Sequence, residues 1–146
     1  MTELNEIVEA FEMLGDWESR YQYLVELGEN LPHMPEANRT EDRRVKACMS
    51  KVWIRAYADP QDSELIRFEG ECDTAVIKGV LALLIELASG KTVTEIQQLD
   101  LDEIFRRLRL DAHLSPNRHV GVYAMVDLMK KQALDLADRP LLAACN

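Results

Sequence analysis

The stretch Lys51-Val52-Trp53-Ile54-Arg55-Ala56-Tyr57 decides the fold, because Val52, Ile54 and Ala56 alternate with Lys51, Trp53, Arg55 and Tyr57. Alternation of this kind predicts a half-buried β-strand with one apolar and one polar face. Asp59-Pro60-Gln61-Asp62 reads as a turn, after which the alternation resumes from Leu65 to Gly70. Ile66 and Phe68 face one way there, and Leu65, Arg67 and Glu69 the other. Two such runs joined by a turn are expected to pair antiparallel. Just upstream, Arg43 to Ala47 is a candidate third strand, an arrangement that sets Cys48 in the tight connection between two strands.

Helical periodicity surrounds this pair of runs on both sides. Leu4, Ile7, Val8, Phe11 and Leu14 share one face of a first helix stopped by Gly15, and Asp16 caps a second that carries Trp17, Tyr21, Leu24 and Val25. That helix ends near Gly28, since Leu31-Pro32 leaves no route onward, and Pro32 to Asp42 is a polar loop. Beyond the strands, Asp73 is read as the N-cap of a helix reaching Ser89, apolar almost all round and so expected at the centre of the core. Thr92-Val93-Thr94-Glu95 reads as a capping box, Asp100 as the cap of a further helix, and Ser115-Pro116 as the start of a last one. The last helix is expected to bury Val122, Met125, Val126, Met129 and Leu136. The fold class is therefore α+β, a small antiparallel sheet of about three strands packed against several helices.

A chain of 146 residues with 47% hydrophobic content builds one core of ordinary size, so a single domain is expected over residues 1–138, followed by a mobile C-terminal tail at 139–146. A formal net charge of -9 argues against nucleic acid as a partner, because phosphate contacts need a basic surface. Val80 to Ala88 is too short to cross a bilayer and is interrupted by Glu86, which argues against a membrane span. Met1 to Ala10 carries acids where a signal peptide would be apolar, so a cytoplasmic location is expected. Cysteines at 48, 72 and 145 form no disulfide framework, and with His33, His113 and His119 they show no metal-ligand spacing. Met125 and Met129 read as core. The glycines make no phosphate-binding loop.

Against this acidic background, Arg43, Arg44, Lys46 and Lys51 surround Cys48 with no acid between them. Nearby cations favour thiolate over thiol, and the thiolate is the nucleophile. Cys48 is thus the candidate for chemistry, weighed against the role of a small inert hydrophobe that a free cysteine often plays. Cys72, followed by Asp73, reads as structural at the junction of strand and helix. Cys145 falls in the tail, where oxidation would give an artefactual dimer.

Ala47-Cys48-Met49-Ser50-Lys51-Val52-Trp53 resembles the G-C-x-S-x-V-W signature of the SufE family of cysteine desulfuration proteins, with Ala47 in place of the usual glycine. Trp17-Glu18-Ser19-Arg20-Tyr21, with Leu27-Gly28 and Leu31-Pro32, is similar to the family's W-x-x-(R/K)-Y, L-G and L-P elements. Asp73 to Gly79 looks like its D-x-x-x-x-K-G helix start, and His113-Leu114-Ser115-Pro116-Asn117-Arg118 with Gly121 resembles its H-L-(S/T)-P-x-R-x-x-G element. The resemblance runs from the first helix to about Leu136.

The resemblance implies a sulfur acceptor and persulfide carrier. Cys48 would take sulfane sulfur from a cysteine desulfurase, stimulate that enzyme, and pass the sulfur on to an iron-sulfur scaffold or another acceptor. Pyridoxal phosphate would belong to the desulfurase, and this chain would bind no cofactor of its own. The family further implies a cysteine tucked into an apolar hollow at rest, on a loop that swings out on docking. Arg44, Lys46 and Lys51 are expected to face the partner, and Asp73 and Arg118 to support the loop or that contact. The alternative reading is a non-catalytic adaptor that binds and activates a desulfurase, with Cys48 incidental. The free protein is expected as a monomer or a homodimer.

Overall fold

The computed structural model describes residues 4–48 and 50–138. Within them the chain forms α1 (Leu4–Leu14), α2 (Trp17–Glu29), β1 (Val52–Ala58), β2 (Ile66–Cys72), α3 (Ala75–Ala88), α4 (Val93–Gln97), α5 (Leu101–Leu108) and α6 (Pro116–Ala137), with short 3₁₀ turns in the connections. The tail expected at 139–146, Cys145 included, lies outside the described residues.

β1 and β2 pair antiparallel, from Val52 opposite Cys72 to Ala58 opposite Ile66. Their apolar faces are the ones the alternation predicts: Val52 and Ile54 are buried from β1, and Ile66 and Phe68 from β2. The third strand expected over Arg43 to Ala47 reduces to a single bridge, Arg44 with Trp53. One backbone bond, Val45 N to Val52 O at 2.8 Å, accompanies it before the chain turns away into the Cys48 loop.

A two-stranded sheet leaves two edges of unpaired backbone groups, and unsatisfied groups of this kind are costly to bury. Gln132 of α6 covers one edge, its Oε1 accepting from Ala56 N at 2.9 Å and its Nε2 donating to Ile54 O at 2.8 Å. On the other edge, Ile66 N donates to Lys91 O at 2.8 Å and Phe68 N to Ser89 Oγ at 3.1 Å.

α3 runs through the centre, and its near-continuous apolar sequence is buried from Gly79 to Ile85. Each fully buried Leu or Ile contributes roughly 1.5–3 kcal/mol. α2 crosses it at two glycines: a Cβ at Gly79 would lie 2.0 Å from Leu24 O, and one at Gly28 would lie 2.9 Å from Gly79 N. Backbone therefore meets backbone at the crossing, which is the physical reason for glycine in both the L-G and K-G elements. Asp16, Asp100 and Ser115 each accept from a backbone N–H in the first turn of the helix they precede, and Thr92 with Glu95 forms a reciprocal capping box. Among the described residues no helix is long and apolar enough to cross a membrane.

Candidate functional site

Three segments distant in sequence meet at one end of the sheet: the loop before β1, the start of α3 and the start of α6. Each is held by side chains whose roles are visible in the geometry. Trp17 stacks on His113 with ring centroids 3.6 Å apart, and Tyr21 donates from its hydroxyl to His113 O at 2.7 Å. Arg20 lies over the rings of Trp17 and Phe11 and donates to Phe11 O at 2.8 Å. The aromatic element of α2 thus clamps the turn that leads into α6, and Ser115 completes the start by accepting from Arg118 N at 3.4 Å. His113, which the sequence sets at no metal-ligand spacing, is a stacking partner of Trp17.

Asp73 does not cap α3. The N-cap is Thr74, whose side chain makes no capping bond, and the first turn is closed by Lys78 N to Thr74 O at 2.7 Å. Asp73 instead accepts from Lys51 N at 2.9 Å and from Thr74 Oγ1 at 3.2 Å, while Asp73 N donates to Lys51 O at 3.2 Å. Ser50 and Thr74 hydroxyls are hydrogen-bonded at 2.7 Å. These contacts fix the chain where it leaves the Cys48 loop. Inside the loop the backbone bond from Cys48 N to Val45 O is stretched to 3.5 Å, so the base is pinned and the tip is weakly held.

Cys48 is half-buried. One side of it meets the core at α6, where a Cβ built on Gly121 would lie 2.8 Å from Cys48 Sγ. Its other side borders an open cleft of about 340 Å³ lined by Ser50, Asp73, Thr74, Ile77, Ser115, Asn117 and Arg118. The apolar hollow expected around the cysteine is a mixed one: apolar beneath, where Cys48 packs against the core, with polar and charged residues as well as Ile77 along the cleft wall.

Of the residues expected at the site, Cys48, Asp73 and Arg118 come together on this cleft. The cations of the loop do not line it. Lys46 donates from Nζ to Glu41 Oε2 at 2.6 Å and to Glu41 O at 2.7 Å, and that hydrogen bond holds the Glu41 carboxyl below its ordinary range. Arg43 donates to Asn38 O at 3.0 Å, and Arg44 enters the bridge to Trp53. Lys51 is exposed, and its backbone N–H is what Asp73 holds. The local excess of positive charge is thus diluted by Glu41 and Asp73, acids that a reading confined to the loop leaves out.

Cys72 closes β2 and is buried, with 4% of its surface exposed. Thr74 N donates to its Sγ at 3.5 Å. Burial pushes the Cys72 thiol up to about 11, with the charges of Asp73 and Cys48 adding to the shift. Sequence reasoning missed the wall residues Ser50, Thr74, Ile77, Ser115 and Asn117. The S-P-x-R element held the signal for two of them, since a capping serine and its first-turn neighbours surround the same helix end as Arg118. Among the described residues no group of three or more His, Cys, Asp or Glu is placed to hold a metal ion.

The sequence profile of SufE, described as an Fe-S metabolism associated domain, matches residues 5–133. An uncharacterized SufE-like protein of Rhizobium meliloti is 41% identical over 135 residues, covering 91% of this chain and 96% of its own. A second, from Rhizobium etli, is 37% identical over 135 residues, covering 91% and 90%. The solution structure of a hypothetical protein from Thermus thermophilus superposes with a TM-score of 0.76 at 21% identity, covering 93% of this chain and 96% of that one, and so shares the fold. Profile and relatives agree that this chain belongs to the SufE family, whose domain is associated with iron-sulfur metabolism.

Proposed function

We propose that the protein is a persulfide carrier that takes sulfane sulfur from a cysteine desulfurase onto Cys48 and delivers it toward iron-sulfur cluster assembly. The observation that carries this reading is the placement of Cys48. It is a half-buried thiol on a loop pinned at its base and weakly bonded at its tip, beside an open cleft with Arg118 on its wall. In the transfer step the Cys48 thiolate attacks the outer sulfur of a persulfide on the partner's cysteine. The new S–S bond forms as the partner's S–S bond breaks, and the partner's cysteine leaves as a thiolate. No net oxidation occurs, because one sulfane sulfur simply changes thiol. Pyridoxal phosphate stays with the desulfurase in this scheme.

Each part of the site has a task in that exchange. Arg118 sets a positive charge on the cleft into which the donor sulfur must come, which favours an approaching anionic sulfur. Ser50, Thr74 and Asp73 keep the downstream end of the loop in register with α3, so that movement of Cys48 is confined to the residues before Ser50. Stimulation of the desulfurase follows if removal of its persulfide is the slow step, since an acceptor then returns the free enzyme sooner.

Incubation with a desulfurase and cysteine, followed by site-resolved mass spectrometry, tests the reading. One added sulfur atom on Cys48, absent from Cys72, is the expected result. Full stimulation of the desulfurase by a protein that never gains that atom would replace the carrier with an adaptor.

A further inference from the structure

Gly121 lies one turn into α6, and a Cβ at that position would stand 2.8 Å from Cys48 Sγ, 3.3 Å from its Cβ and 3.4 Å from its Cα. The first distance is one that real side chains do not tolerate, and rotation of Cys48 about χ1 would relieve it. The other two involve the Cβ and the backbone of Cys48 itself and so persist after any such rotation; the 3.4 Å distance is ordinary contact, and the 3.3 Å one is tight enough that the loop must give by a few tenths of an ångström. The whole residue therefore rests against bare helix backbone. We propose that Gly121 is a positioning residue that provides the seat of Cys48: the missing side chain lets the loop settle, and any side chain there leaves the cysteine presented to solvent.

Two features make the loop, rather than the helix, the part that gives. α6 is tied to β1 through both ends of the Gln132 amide and to α4 and its following turn through Gln97 Nε2 to Lys130 O at 2.8 Å and Lys130 Nζ to Leu99 O at 2.8 Å. The loop tip holds the stretched 3.5 Å bond from Cys48 N. Alanine is also a better helix former than glycine, so α6 itself loses nothing by the exchange. The seat has a consequence for the carrier reading, on which this part of the inference rests. With α6 backbone at Gly121 against one side of Sγ, the outer sulfur of a loaded Cys48 is kept off that turn of the helix and left with the cleft that Arg118 lines.

The test is the rate at which iodoacetamide labels Cys48 in the free protein, followed by site-resolved mass spectrometry. Gly121→Ala is expected to label faster by about an order of magnitude, as the presented conformer goes from minority to majority. Gly28→Ala serves as the control, because it crowds α2 against α3 at Gly79 and destabilises the protein without touching the loop. It should leave the Cys48 rate as it was. An unchanged or slower rate in folded Gly121→Ala would overturn the proposal. If Gly121→Ala is too unstable to label, melting of the double variant Cys48→Gly/Gly121→Ala decides instead. Recovery to the Tm of Cys48→Gly supports the seat, and no recovery overturns it. No desulfurase enters these measurements, so a failed sulfur-loading experiment with a normal labelling result would strike the carrier reading alone.

Discussion

Cys72 and Cys48 flank the same hydrogen bond, that between the hydroxyls of Ser50 and Thr74, each two residues from one of its ends. Cys72 terminates a strand, is buried, takes a bond from Thr74 N and is pushed up to about 11. Cys48 sits on an irregular loop, is half-buried and borders a cleft whose wall it shares with Arg118. The thiol groups are chemically identical, and what separates them is backbone regularity. A strand end in register with Val52 has no freedom to bring its side chain to the surface, whereas a loop held at its base has. On the proposed carrier function the transferred sulfur needs both shelter and access, and of these two thiols the loop cysteine is the one that offers both.

The largest expected effect is a complete separation of the two thiols by function. Cys48→Ser should bring sulfur acceptance down to the level seen without the protein, since a hydroxyl is almost fully protonated at neutral pH and forms no persulfide. Its stability should change by no more than about 1 kcal/mol, because the replacement is nearly isosteric at a half-buried site. Cys72→Ser should keep sulfur acceptance and lose about 1–3 kcal/mol on denaturant unfolding, as a hydroxyl replaces a thiol in a buried setting. A folded Cys72→Ser that accepts no sulfur would reverse the comparison.

Next in size is the charge on the cleft. Arg118→Ala is expected to slow sulfur transfer by roughly tenfold, and Arg118→Lys to restore most of it, because a charge at an approach route acts mainly on encounter. Reversal of Lys46 to Glu should matter less, since its ammonium is already committed to Glu41 at an exposed position. Single-turnover transfer rates measured at low and high salt check both statements. Equal losses at the two positions would return the loop cations to the role that sequence assigns them.

How far the sequence anticipates this arrangement depends on the range of the interaction that decides each part. The burial of Val52, Ile54, Ile66 and Phe68 follows from a period of two, and the caps at Asp16, Asp100 and Ser115 from residue type one position before a helix. Both are local, and both are legible. The same local rule assigns Asp73 to a cap and fails there, because Lys51 N across the sheet end takes its carboxylate and Thr74 takes the cap position. The third strand shrinks to one bridge for a similar reason: Val45 pairs once with Val52, and the chain then leaves to place Cys48 against α6. Trp17 on His113 and Gly121 under Cys48 join residues far apart in the chain, so their type is visible in the motifs but their contact is not.

A smaller effect is expected at the base of the loop. Asp73→Ala removes the acceptor that serves both Lys51 N and Thr74 Oγ1, at a cost of about 1 kcal/mol for each hydrogen bond at an exposed site. The consequence for Cys48 should be a severalfold rise in its alkylation rate, while Cys72 stays unlabelled because β2 is untouched. Labelling of both cysteines together would show that the two regions open as one unit, and would remove the distinction between a mobile loop and a fixed strand end.

The smallest effect sharpens the comparison from the side of Cys72. Its thiol ordinarily titrates near 9.0 and is pushed up to about 11 in the folded protein, chiefly by burial. Between those values the folded state binds more protons than the unfolded chain, so stability must fall as pH rises. The contribution is fully present below pH 9.0 and is lost as pH passes through about 11. Its size is on the order of 1–2 kcal/mol once solvent screening at the sheet end is allowed for. Tyr23 and Tyr123 are also pushed up, by burial and by the hydrogen bond to Asp102 respectively, so the parent protein alone does not isolate the thiol. The difference between parent and Cys72→Ser does, since serine does not titrate in this range and both tyrosines are common to the two proteins. Urea midpoints, each referred to its own value at neutral pH, should fall more steeply in the parent as the solution is made alkaline. Parallel curves would mean that Cys72 ionises as readily folded as unfolded, and the contrast between a buried, silent thiol and a presented one would then rest on geometry alone.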